Sequence, residues 1–202
     1  MSMLDKVIAA VTPPEGEEAR AEARQKARSL AGDNDWLSQV LNHHEQIEAA
    51  FARVKTASDA TSQRTAEKVL AKLLTGHSVA EEAVLYPALV KADEKGHSTM
   101  AYTEQSAAKV QMGLLEDLEP LTQDYLDKLE HIRGAVAHHV YVEEGTWFPE
   151  LKEKLPPAVQ AKLTFRYLEE FGRYMGTNSS DAPGAQPFSR DGVEVNTRGE
   201  FR

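Results

Sequence analysis

His77-Ser-Val-Ala-Glu81-Glu82-Ala-Val-Leu-Tyr86-Pro87-Ala-Leu89 occurs twice in this chain, returning 62 positions later as His139-Val-Tyr-Val-Glu143-Glu144-Gly-Thr-Trp-Phe148-Pro149-Glu-Leu151. Both copies read His-x-x-x-Glu-Glu-x-x-x-aromatic-Pro-x-Leu. On an α-helix the fourth residue along returns to the same face, so each copy projects an imidazole beside a carboxylate. Imidazole nitrogen and carboxylate oxygen together suit iron, manganese or zinc, and a carboxylate can span two ions while a histidine caps one. A single copy is explained well enough by a wet helix face, where Glu and His are common. Such a face has no need to repeat a histidine, two glutamates, an aromatic, a proline and a leucine in one register, whereas a pair of matched ligand sets does.

Outward from the repeats the chain reads as helix after helix. Pro13-Pro14 precedes a helix over 15–31 with acidic residues first, as the helix dipole favours. Gly32-Asp33-Asn34-Asp35 breaks it and caps the next, where Leu37, Val40, Leu41, Ile47, Phe51 and Val54 recur at three and four and His44 falls on the same stripe. A helix over about 61–90 carries Val69, Leu70, Leu73, Leu74, His77, Glu81 and Leu85 inward, with Pro87 expected to kink or end it. The segment 92–96 connects to a helix over about 98–118 with Tyr102, Gln105, Ala108, Met112 and Leu115 inward. A further helix over 122–155 carries Tyr125, Leu129, Ile132, Val136, His139 and Glu143, and a short one spans 159–175. No run reads as a strand. The fold class is therefore all-α: an up-down-up-down antiparallel four-helix bundle with accessory helices at each end. The division is 1–34 as the N-terminal accessory helix, 35–155 as the bundle, 156–175 as the C-terminal accessory helix, and 176–202 as an extended or disordered tail.

Composition narrows the function. The 202 residues hold 23 Lys plus Arg against 32 Asp plus Glu, a net charge of −9, which argues against electrostatic binding of nucleic acid or anionic membrane. With no cysteine, disulfides, thiolate metal sites and thiol catalysis are excluded. The first residues lack a basic leader and no apolar stretch approaches a bilayer span, so a cytoplasmic location is expected.

Sliding the repeat backward lays Leu41, His44, Ile47-Glu48 and Phe51 over Tyr102, Gln105, Ala108-Lys109 and Met112. Each half is then one helix with a single central polar residue, His44 or Gln105, followed by one helix with a His-Glu pair. Buried polar groups demand partners, and a metal centre satisfies all six.

Asn42-His43-His44-Glu-Gln-Ile47, the two His-x-x-x-Glu-Glu elements and the aromatic-Pro-x-Leu endings resemble the hemerythrin-like HHE cation-binding family over about residues 35–155. The resemblance implies a non-haem diiron centre among four helices, with His44, His77 and His139 as terminal ligands and Glu81 and Glu143 bridging two iron ions, other divalent metals being open alternatives. The sequence departs from the family at Gln105, where a histidine is usual, and lacks the additional last-helix histidine of oxygen carriers. Three roles are open to Gln105: weak coordination, a hydrogen bond to bound water, or no ligation; Tyr102, one turn earlier, is the alternative donor as a phenolate. Fewer nitrogen donors favour reaction with peroxide, oxygen or nitric oxide over simple oxygen carriage.

Other residues weigh less. Glu82 and Glu144 are candidates for orienting a ligating imidazole, while His43 and His138, about 100° from the ligand face, are expected to be exposed. His97 is read as solvated, His131 as lining an entrance, Tyr86, Trp147 and Phe148 as aromatics closing one end of the core, and Met100 and Met112 as packing. Three functions are carried forward: a diiron protein binding or consuming a small oxidant, with an oxidoreductase acting on peroxide or nitric oxide as its enzymatic form; a metal- or oxygen-sensing or iron-binding module without turnover; and a metal-free polar core. A homodimer is possible.

Overall fold

In the computed structural model, residues 15–92 and 95–177 are described, and they form helices joined by short turns, with no strand among them. The expected tail over 178–202 and the first 14 residues lie outside the described residues. The helices are α1 Glu17–Leu30, α2 Trp36–Thr56, α3 Ala60–Ala80, α4 Tyr86–Lys91, α5 Lys95–Glu116, α6 Gln123–Val142, α7 Phe148–Lys154 and α8 Pro157–Met175. Two π-helical turns, Glu81–Leu85 and Glu143–Trp147, join α3 to α4 and α6 to α7 without a break.

Local chemistry sets these limits. In α1, Glu17 and Glu18 occupy the first turn and Arg28 the last, matching the helix dipole. Asn34 adopts φ 56° in the turn, and Asp35 then caps α2, accepting from Ser38 N at 2.9 Å and Gly32 N at 2.8 Å while pairing with Lys152. Asp59 and Ser62 form a reciprocal capping box at the start of α3. Thr122 caps α6, and Gly176, at φ 76°, ends α8 in the left-handed conformation.

Pro87 does not end its helix. In the π turn the Tyr86 N–H reaches back five residues to the Glu81 carbonyl, and Pro87 falls in the first turn of the new segment, where a missing N–H is no loss. The second copy repeats this with Phe148, Glu143 and Pro149.

Helix α2 packs chiefly on α3, α5 on α6, and α8 along α3 and α2, while α1 lies against the second π turn and α2. The apolar interior forms two clusters. Trp36, Leu37, Leu41, Leu85, Leu89, Trp147, Phe148 and Leu151 belong to one, and Ile47, Phe51, Val54, Leu70, Met112, Tyr125, Leu129 and Ile132 to the other. His44 sits on α2 between Leu41 of the first cluster and Ile47 of the second. Two residues expected to face inward do not: Val69 is 51% exposed and Tyr102 37%. Leu70, Leu73 and Leu74 already fill the buried face of α3, and Val69 falls about 100° to one side of Leu70. None of the described helices is long and apolar enough to cross a membrane.

Candidate metal centre

His44, His77, Glu81 and Glu143 each offer one donor atom within 4.8 Å of the others, and all four are buried. His77 Nε2 lies 3.3 Å from Glu81 Oε1, and His44 Nε2 lies 3.4 Å from Glu143 Oε2 and 3.8 Å from Glu81 Oε1. A second set adjoins the first. His139 Nε2 is 3.3 Å from Glu143 Oε1, and Gln105 Nε2 donates to Glu81 Oε2 at 2.6 Å. Each carboxylate is thus divided: Glu81 turns one oxygen to His44 and His77 and the other to Gln105, and Glu143 turns one to His44 and the other to His139.

Several of these atoms lack what burial demands. His44 Nε2, Glu81 Oε1, Glu143 Oε2 and Gln105 Oε1 are buried without a hydrogen-bond partner, the ion-pair distances around the imidazoles being too long or out of line for one. Unpaired buried polar groups cost free energy, so four gathered around two carboxylates fit the donor set of a bound cation.

Each ligand-type imidazole is held through its other nitrogen. His44 Nδ1 meets Glu144 Oε1 at 2.9 Å, His77 Nδ1 meets the Tyr167 hydroxyl at 3.0 Å, and His139 Nδ1 meets Glu104 Oε2 at 2.7 Å. Such contacts fix ring orientation and leave Nε2 facing the centre. Two of them involve helices flanking the core: α8 supplies Tyr167, and in α1 Arg24 donates to both Glu144 oxygens at 3.0 and 3.1 Å.

The electrostatics agree. Burial pushes the Glu81 carboxyl up, and neighbouring Glu143 pushes it further, to about 7. Burial also works on Glu143, but His139 and His44 outweigh it and hold that group below the usual carboxylate range. Burial opposes charge on His44 and His139, yet Glu143, Glu144 and Glu81 raise the first well above normal, and Glu143 and Glu104 raise the second to about 10. Burial and the neighbouring His44 keep His77 well below normal. The paired carboxylates therefore draw positive charge into the interior, in the form of protons that a metal ion would displace.

The structure relocates several residues singled out in the sequence. Tyr102 turns its hydroxyl to the Glu82 carbonyl at 2.6 Å, outside the centre. Tyr86, expected only to close the core, takes the position envisaged for it: its hydroxyl lies 2.9 Å from Glu143 Oε1, 3.2 Å from Glu81 Oε2 and 3.1 Å from His139 Nε2, and accepts from Gln105 Nε2 at 2.5 Å. Glu82 pairs with Lys109 at 2.6 Å instead of orienting an imidazole, whereas Glu144 does orient one. His43 is buried, not exposed, with Nδ1 2.8 Å from the Tyr167 hydroxyl and its ring stacked on Phe171. His138 meets Glu15 at 2.9 Å, His97 stacks on Trp147, and Met100 is exposed while Met112 is buried. Tyr167, Glu104 and Arg24 left no motif that could have found them; for Tyr86 the signal was the aromatic-Pro pair repeated at the end of both copies.

Comparison with known proteins fits this geometry. A curated protein named DNA nickase from Nostoc sp. (strain PCC 7120 / SAG 25.82 / UTEX 2576) is 27% identical over 112 residues, which are 55% of this chain but only 32% of that protein. No solved structure matches. The model of the hemerythrin HHE cation-binding domain matches residues 36–151, more than half of the chain, and the protein therefore belongs to that family.

Proposed function

We propose that the chain binds two non-haem iron ions in its core and reacts there with a small oxidant such as oxygen, peroxide or nitric oxide. The observation that carries this reading is the division of Glu81 and Glu143: Glu81 turns Oε1 to His44 and His77 and Oε2 to Gln105, while Glu143 turns Oε2 to His44 and Oε1 to His139, the disposition of carboxylates shared between two ions. His44 and His77 would hold one ion, and His139 the other with Gln105 or the Tyr86 oxygen beside it. An up-down-up-down bundle over 35–155, with accessory helices on either side, is the architecture that goes with such a pair. Bound iron would supply redox change and a coordination position for the oxidant.

The protein's own groups do the rest. Glu144, Tyr167 and Glu104 fix the three imidazoles, and the centre lies between the two apolar clusters. The relative's name, DNA nickase, belongs to a protein of which this chain spans about a third, and with a net charge of −9 nothing in the composition favours DNA as the substrate here. The alternative is an iron- or oxygen-sensing module without turnover. Elemental analysis of protein purified without added metal tests the first step, with two iron atoms per chain expected; protein that stays iron-free after anaerobic ferrous loading ends the reading. Addition of peroxide to the loaded protein is then expected to change its near-ultraviolet and visible absorption, with sustained peroxide consumption distinguishing an enzyme from a sensor.

A further inference from the structure

A cavity of about 530 Å³ lies among α3, α5 and α6, and His77, Gln105 and His139 line it. Its size falls within the range of small-molecule sites, roughly 300 to 1,000 Å³, far more than a diatomic gas or peroxide requires. Ile47, Leu74, Ile132, Val136 and Val140 make its walls aliphatic. The space persists because α3 and α5 scarcely touch and small residues line it, among them Ala107, Ala108 and Gly134. A Cβ added at Gly134 would meet no atom within 4 Å, so a glycine that weakens its helix relative to alanine borders open space.

The charged side chains around the cavity are already paired. Glu104 holds His139, Lys109 holds Glu82, and Glu130 is engaged by Arg133 and Lys55. His138 likewise meets Glu15, so apart from His131 an ionic guest would have to break one of these pairs to gain a counter-charge, which selects against both signs.

We infer that this cavity binds a neutral, largely apolar organic molecule and holds it against the imidazoles of the centre, so that the chain acts on or responds to such a molecule together with the oxidant. This deepens the proposed function and rests on it for the chemistry, but not for the binding. Naphthalene and 2-naphthoate are suitable probes, titrated by fluorescence against the full chain before and after metal removal. Saturable binding of one naphthalene per chain is expected, with 2-naphthoate at least tenfold weaker. Gly134→Leu on α6 should weaken naphthalene at least tenfold while leaving metal content and melting temperature undiminished, and Ala107→Leu on α5 provides a second obstruction should the first variant fail to fold. Equal affinity for the anion, or unchanged naphthalene binding in folded variants, overturns the inference. Metal-loaded protein that ignores naphthalene sinks the cavity proposal alone; protein that binds naphthalene but takes up no iron on anaerobic ferrous loading sinks the diiron reading alone.

Discussion

His44 shows how a single side chain can be over-determined. Its Nδ1 is fixed by Glu144, its Nε2 faces two carboxylates without a hydrogen bond, and it has no exposed surface. The metal reading makes sharp demands on such residues. His77→Ala and His139→Ala should each remove about half or more of the bound iron, since each caps one ion of a coupled pair, and full occupancy in both variants, measured by elemental analysis, would count against the assignment. Tyr167→Phe deletes only the hydroxyl that orients His77, so its expected effect is roughly a 10-fold to 100-fold loss of metal affinity in chelator competition, with the fold retained. Gln105→His should move the optical spectrum toward that of an oxygen carrier if residue 105 lies within reach of an ion. The pairs His77–Glu81 and His139–Glu143 were legible because four-residue spacing on a helix is easy to read, and His44 because it falls on the apolar stripe of its helix. Tyr86 was not: five residues after Glu81, an α-helix would place it about 140° around the axis. The π turn brings it back to the Glu81 side.

At the level of elements, caps and breakers located most helix ends to within a few residues, and the π turns account for the main discrepancy. Nothing in the composition of Glu81–Leu85 announces a wider turn; what both copies share is the proline just beyond it, Pro87 or Pro149, which has no N–H for an α-helical bond, and in the first copy the turn also lets Tyr86 reach Gln105, His139 and Glu143 across the core. The Asp35 cap allows a direct test. Asp35→Ala should cost about 1 kcal/mol, read from chemical denaturation. Burial pushes the Asp35 carboxyl up, but Lys152 and the Ser38 and Gly32 N–H groups outweigh it and hold the group below its usual value. A carboxylate depressed by folding contributes stability that is present above its unfolded pKa and lost as pH falls through the folded one. The melting-temperature difference between wild type and Asp35→Asn should therefore be largest near neutrality and shrink on acidification to about pH 3, as followed by circular dichroism.

Across the whole molecule, a group of buried polar side chains lies between two apolar clusters, and the fold holds them there at a cost that a bound cation would offset. A ligand that binds only the folded state at 100 times its dissociation constant adds about 3 kcal/mol, so stripping the metal should lower the melting temperature by roughly 5 to 10 °C in a chain of this size. An unchanged melting curve would favour a metal-free polar core. The helical class and the repeat were readable from apolar periodicity. The roles of α1 and α8 were not, because Arg24 and Tyr167 act through folded proximity alone.

The repeat also misleads in one respect: it suggests two modules, yet the copies are laced together. Glu144 of the second copy steadies His44 of the first, and Tyr86 of the first lodges among side chains of the second. Kinship here does not mean independence. Either half produced by itself would present imidazoles with no brace and a phenol with no berth, so neither fragment should take up iron alone, and only co-refolding of both should restore uptake.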